Sequence, residues 1–326
     1  MASLSADLRK PYKIVDGKEI PTDIYLPKTT SSSTQACPVL LMIHGGAFML
    51  GHAGMNNKDQ IQDCLERGWI VLALEHRLCP GVNLLEGPMT DVRDALAWAQ
   101  SGGLNSTLGK EAKSVKADEK RVVLMGTSSG GNLALSTAWD TLSKPLAILD
   151  FYGAKHFADP FWSKPLEGMP AHFSDALPTE QSTQVQNEKF VLIGGVSLEG
   201  QSGPPPEEAK IRTAFAMNAL ATGKVIPTIY PPSASGDGLK SIDPVLNVEA
   251  DWPPIAIVHG TADTMVPMRF SRELEAKLNE KGVRNEFIEV EGEPHTFCGK
   301  MEKGSKTWDT QRKGFDFLER IIKESY

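Results

Sequence analysis

The chain has 326 residues, 40% hydrophobic and 23% charged, with a formal net charge of −7 and a pI near 5.6. This balance supplies a full apolar core and excludes wholesale disorder, and the acidic sign argues against a surface built for nucleic acid or anionic membrane. Length leaves one large domain or two ordinary ones open, and small-molecule chemistry fits the charge best.

Residues 1–18 scatter charges among short apolar stretches, with no hydrophobic run of signal-peptide length. No run approaches the roughly 20 apolar residues of a membrane helix, so the expectation is a soluble, cytoplasmic protein. Residues 12–15, Asp16-Gly17 and residues 20–26 predict an opening β-hairpin. Residues 38–43 form a continuous apolar run of the kind buried on both faces of a parallel sheet, and similar runs recur at 69–74, 121–125, 146–151, 255–258 and 286–290. Between them, residues 60–67, 89–100, 132–142, 269–281 and 307–323 carry apolar side chains at three- and four-residue spacing and read as helices. The alternation predicts an α/β protein with a mostly parallel central sheet flanked by helices.

One stretch interrupts the alternation. Residues 152–252 contain Pro- and Gly-rich punctuation (Gly203-Pro204-Pro205-Pro206, Pro231-Pro232) and two helix-like segments, 180–192 and 206–220. Strands resume at Ile255, so this stretch reads as a helical cap inserted after the sixth strand, dividing the core into residues 1–151 and 253–326; a second independent domain is the alternative. The four cysteines, Cys37, Cys64, Cys79 and Cys298, form no CxxC pair and read as free thiols.

Gly126-Thr127-Ser128-Ser129-Gly130 is a G-x-S-x-G between a buried-type strand and an amphipathic helix. Such a turn lifts a serine hydroxyl above the sheet, and glycines are needed where the strand and helix crowd the turn. Ser128 is the predicted nucleophile, because centring the motif on Ser129 would put Thr127 at the first glycine position. The Ser129 amide at the helix N-terminus is a candidate oxyanion donor. The His44-Gly45-Gly46-Ala47-Phe48 loop follows the third strand, and its glycine pair lets amides turn toward one oxygen. Gly45 and Gly46 are assigned to the oxyanion hole, while His44 is expected to brace the loop.

A serine hydroxyl needs a base, and the base needs a carboxylate to fix its tautomer. His295, in the turn-rich loop after the last strand, is the predicted base; His52, His156 and His172 lack a flanking motif. Asp263, just beyond the strand at 255–258, is the predicted acid, with Asp251 and Glu291 as alternatives. The chain order Ser128, Asp263, His295 suits a strand-turn-helix nucleophile fold. Cys298 reads as packing.

The His44 to Phe48 loop, His76-Arg77-Leu78-Cys79-Pro80 with Asp91 downstream, and Gly126 to Asn132 together resemble the hormone-sensitive-lipase-like branch of the α/β-hydrolases, over roughly residues 38–300. The resemblance implies an α/β-hydrolase fold and hydrolysis of carboxylic esters of small or medium acyl size, with no metal and no organic cofactor. It further implies an Arg77–Asp91 structural ion pair, a structural role for His259, and a homodimer as one assembly known in the family. Ser129, Gly81 and the Glu75-His76 pair depart from the family's usual Ala, Glu and acidic-Tyr. Phe48 and Trp162 are candidate substrate contacts, and Phe157, Phe161 and Phe173 are further cap aromatics whose alternative role is core packing. Two other functions stay open: a triad enzyme that cyclises, dehydrates or transfers acyl groups, and a catalytically silent binding protein.

Overall fold

A computed structural model describes residues 4–28, 36–111, 115–195, 209–299 and 301–325. The Gly203 to Pro206 run, the start of the second helix expected in the 152–252 stretch, and the side chain of Cys298 fall outside the description.

The chain opens with strands β1 (Leu8–Val15) and β2 (Lys18–Tyr25), joined through Asp16 and Gly17 at φ 50° and 76°, the left-handed pair a two-residue hairpin turn requires. Then come β3 (Cys37–Ile43), α1 (Lys58–Glu66), β4 (Ile70–Leu74), α2 (Thr90–Gln100), α3 (Gly103–Glu111), β5 (Ala117–Thr127), α4 (Ser129–Leu135) and β6 (Ile148–Phe151). Helices α5 (Thr179–Asn187), α6 (Lys210–Ala221) and α7 (Val225–Ile229) precede β7 (Ile255–Gly260), α8 (Met268–Glu280), β8 (Asn285–Val290) and α9 (Lys306–Glu324).

The eight strands form one sheet in the order β1-β2-β4-β3-β5-β6-β7-β8. β1, β2 and β4 pair antiparallel, and every pairing from β4 through β8 is parallel. Alternate side chains sort to two cores, as the two-residue period of a strand demands. Leu40, Met42, Val71 and Val123 meet Ile61 of α1 and Phe315 and Leu318 of α9, whereas Val39, Leu41, Leu72 and Leu124 meet Leu96 of α2 and Leu274 of α8. The sheet is mostly parallel and flanked by helices, as expected.

Helix α3 was not expected: only Leu104 and Leu108 mark its apolar face, and Gly102, Gly103 and Gly109 read as breakers, yet burial of both leucines secures it. The helix predicted over 132–142 stops at Leu135. Ser136 and Thr137 turn their hydroxyls back to the carbonyls of Leu133 and Ala134, both at 2.7 Å, tightening the chain into a 3₁₀ turn. Trp139 then departs in extended conformation and stacks on Trp252 with ring centroids 5.7 Å apart. The segment predicted helical over 180–192 is helical only through Asn187, and residues 188–194 instead lie against the loops after β3 and β4. Leu78 N–H donates to Val191 O at 2.9 Å, Gly194 N–H to Gly51 O at 3.0 Å, and Arg212 of α6 to Cys79 O at 2.7 Å.

Candidate active site

β5 delivers Ser128 to the sharp turn before α4, at φ 52° and ψ −122°, a conformation an L-residue adopts only under constraint. The constraint is visible. Ser128 N–H donates to Phe151 O at 2.9 Å and Ala154 N–H to Ser128 O at 3.2 Å, docking the turn on the end of β6. A Cβ at Gly126 would lie 2.0 Å from Gly130 O, and one at Gly130 would lie 2.3 Å from Ile43 O, so backbone occupies the space of both missing side chains.

Ser128 Oγ lies 3.0 Å from His295 Nε2, and His295 Nδ1 lies 2.7 Å from Asp263 Oδ2. The hydroxyl donates to Nε2 and the Nδ1–H to the carboxylate, so the imidazole is held in one tautomer. Ser128, Asp263 and His295 are 8%, 7% and 7% exposed, which shields the hydrogen bonds from water. Ala262 N–H donates to Glu293 O at 3.1 Å, tying the Asp263 loop to the His295 loop. Asp263 Oδ1 accepts the amides of Met265 and Val266, each at 2.9 Å. Burial alone would raise the Asp263 carboxyl, but hydrogen bonds from His259 and His295 outweigh it and hold the group well below the usual carboxylate range.

The loop of Gly45 and Gly46 packs directly on this turn, through the Gly130 contact with Ile43 and His44. Gly46 has φ 122°, and a Cβ there would meet Leu50 O at 2.3 Å. Its carbonyl turns away to accept from Met49 and Leu50. Among the described residues, no backbone carbonyl accepts from the amides of Gly45, Gly46 or Ser129. His44 is buried, and its Nδ1–H holds Gly45 O at 2.8 Å. Its ring stacks on His76, centroids 4.4 Å apart, and desolvation lowers the two imidazoles to about 4 and about 3, so both are neutral at ordinary pH. Arg77 grips Asp91 through Nε at 2.9 Å and Nη2 at 2.7 Å, with Lys13 adding a third contact at 2.7 Å.

The alternatives lie elsewhere. Asp251 pairs with Lys144, Glu291 is exposed, His52 caps a 3₁₀ turn, His156 contacts Glu273, and His172 is exposed beside Phe173. Phe48 and Trp162 are joined through Phe157 in a buried aromatic chain: Phe48 meets Phe157 edge-on, Phe157 meets Trp162, and Trp162 stacks on Phe270 of α8. Phe161 completes that cluster. Trp162 also donates its indole N–H to Lys155 O at 3.0 Å. Sequence reasoning missed Asp150, Lys155 and Ser271, which form a buried polar chain reaching His259 beside Asp263. No spacing marks them, because they come from three elements that meet only in the fold.

The BD-FAE family model matches residues 22–159. Over 329 residues the chain is 32% identical to the non-reducing polyketide synthase Preu6 of Preussia isomera, and over 341 residues it is 29% identical to the non-reducing polyketide synthase prhL of Penicillium brasilianum. Each match takes in 94% of this chain, which spans only 14% of the relative's length. Among solved structures, a Staphylococcus aureus protein of unknown function superposes with a TM-score of 0.67 at 20% identity, over 97% of this chain and all of that one. The propionate-bound esterase Est2 of Thermogutta terrifontis gives 0.58 at 18% identity over 97% and 93%, and the same esterase phosphorylated by paraoxon gives 0.60 at 18% over 96% and 94%. With its helix-flanked, mostly parallel eight-stranded sheet and these shared architectures, the chain belongs to the α/β-hydrolase fold.

Proposed function

We propose that this protein is a serine hydrolase that cleaves a carboxylic ester of small or medium acyl size through an acyl-Ser128 intermediate, in the manner of the hormone-sensitive-lipase-like branch. The observation that carries this reading is the unbroken hydrogen-bond line from Ser128 through His295 to Asp263. His295 Nε2 takes the hydroxyl proton as Oγ attacks the carbonyl carbon, and the amides of Gly45, Gly46 and Ser129 receive the charge that develops on the carbonyl oxygen. The tetrahedral adduct collapses, His295 returns the proton to the leaving alcohol, and a water deprotonated by the same imidazole releases the acid. Asp263 stays ionised throughout and stabilises the transient imidazolium. Residues 152–252 act as a cap over this site, with the core contributed by 1–151 and 253–326, and Phe48 and Trp162 shape the acyl side.

A second reading keeps the acyl-enzyme and changes the donor. Likeness to segments of non-reducing polyketide synthases over nearly the whole chain favours a polyketide-type acyl group, presented as ester or thioester and released to water or to a hydroxyl of the same molecule. The first half-reaction is identical, with thiolate or alkoxide leaving.

Fluorophosphonate labelling tests the shared step: wild-type protein takes up one equivalent on Ser128, and Ser128→Ala takes up none. Turnover of p-nitrophenyl acetate or butyrate supports the first reading, and cyclised or transferred product from an aromatic polyketide-type acyl thioester supports the second. Folded protein that is neither labelled nor active on either substrate overturns both.

A further inference from the structure

The acid of the triad is tied to a buried ion pair that the acyl-transfer steps do not use. Asp150 at the end of β6 and Lys155 are both without solvent exposure, with Nζ 2.7 Å from Oδ2. Asp150 Oδ1 accepts Gly153 N–H at 3.0 Å and occupies the space where a side chain at Gly131 or Gly153 would go, so the pair sits directly beneath α4. Lys155 Nζ also donates to Ser271 Oγ of α8 at 2.9 Å, and Ser271 Oγ lies 2.8 Å from His259 Nδ1. An ammonium can only donate, so the Ser271 oxygen accepts from it and its O–H points to Nδ1. His259 Nε2 faces two pure acceptors, Val266 O at 2.8 Å and Asp263 Oδ2 at 3.2 Å, which puts the ring proton on Nε2. From Lys155 through Ser271 and His259, the hydrogen bonds therefore run donor to acceptor toward Asp263, while Lys155 also donates to Asp150.

We propose that Lys155 and Ser271 are positioning residues that act through His259, locking it as the neutral Nε2–H tautomer so that Asp263 keeps its full charge and its aim at His295. A second proton on His259 would have to displace the Ser271 O–H and settle near the Lys155 ammonium. The resulting imidazolium would pair with Asp263 and weaken its hold on the imidazolium that His295 becomes during attack. The other groups around His259 do not replace this control. The Tyr152 ring is edge-on at 6.4 Å, Glu289 on the neighbouring β8 carries its carboxylate outward to Arg272, and Asp150 reaches the histidine only through Lys155.

The role rests on the acyl-Ser128 reading, and its test separates the two. Histidine ¹⁵N NMR reads the tautomer of His259 without any turnover, in wild type, in Ser271→Ala, which leaves the ion pair intact, and in the charge-neutral Asp150→Asn/Lys155→Met. Wild type is expected to show the Nε2–H form with a hydrogen-bonded Nδ1, and both variants to show an Nδ1 resonance moved by loss of that hydrogen bond or by a proton on Nδ1. For a short p-nitrophenyl ester, kcat/KM of the variants should be about tenfold below wild type, with KM unchanged, the scale of one hydrogen bond. A wild-type His259 that carries its proton on Nδ1, or a folded variant whose Nδ1 resonance and kcat are unaltered, overturns the proposal. Failure of fluorophosphonate labelling in wild type would instead sink the acyl-serine reading, whatever the NMR shows.

Discussion

Gly130→Ala places one methyl group between the turn that carries Ser128 and the loop that carries Gly45 and Gly46. An ideal Cβ at position 130 lies 2.3 Å from Ile43 O and 2.5 Å from His44 O. Ordinary contact begins near 3.4 Å, and both opposing atoms are backbone, so no rotamer change relieves the clash and the two segments must separate by about 1 Å. A displacement of that size between reacting groups costs about 10²-fold in rate, and loss of one oxyanion donor costs about 10² to 10³. The expected result is a fall in kcat of about 10²-fold for p-nitrophenyl butyrate, with overpacking lowering stability by about 1–3 kcal/mol in urea unfolding. A folded variant whose kcat stays within about threefold of wild type would show that the contact between turn and loop does not set the oxyanion geometry.

Four further substitutions test the same structure. Gly109→Ala, within α3 and with open space around its Cβ, should raise stability by about 0.5–1 kcal/mol in urea unfolding and leave ester turnover unchanged. Asp263→Asn should lower kcat by about 10³- to 10⁴-fold, because an amide can no longer hold the His295 tautomer as a carboxylate does. The same substitution bears on acid stability. The folded Asp263 is more acidic than an unfolded one, so its contribution is complete above the ordinary aspartate value of about 3.9 and fades as pH falls below it; the variant's unfolding free energy should decline less steeply between about pH 5 and about pH 3. Asp91→Ala leaves Arg77 without its carboxylate in a mostly buried site, while Lys13 keeps Asp94, and should cost about 3–5 kcal/mol by chemical denaturation. His44 and His76 bind protons less readily folded than unfolded, so stability should drop as pH falls below about 6.5, by up to about 1.4 kcal/mol per pH unit for each ring. His76→Phe, which keeps an aromatic face against His44, should flatten that slope in pH-resolved thermal unfolding, and an unchanged slope would refute the assignment.

The candidate site was legible to an unusual depth because its parts sit at element boundaries that carry their own signals. The turn at Ser128 demands small neighbours on both sides, since backbone stands 2.0 Å and 2.3 Å from where side chains at Gly126 and Gly130 would begin. Asp263 follows β7, whose apolar run announces burial on both faces, whereas His295 follows β8 at the sheet edge, where Glu286 and Glu289 interrupt the run expected over 286–290 and only Ile288 and Val290 are buried. Helix α3 and the early end of α4 were not legible for the opposite reason. Two leucines among glycines carry too little periodicity to outweigh breaker residues, and the stacking of Trp139 on Trp252 joins residues more than a hundred positions apart.

The periodicity of most strands and helices and the signals that nominate Ser128, His295 and Asp263 lie within single turns or strands, so they can be read from the sequence, although Asp251 and Glu291 stay alternatives until the fold places them elsewhere. The distances that join Ser128, His295 and Asp263, the stacking of His44 on His76, and the Asp150–Lys155–Ser271–His259 chain belong only to the tertiary structure. Such contacts depend on which faces of distant elements meet, and a buried lysine or serine looks in sequence like any solvated one until packing removes the water that would otherwise satisfy it.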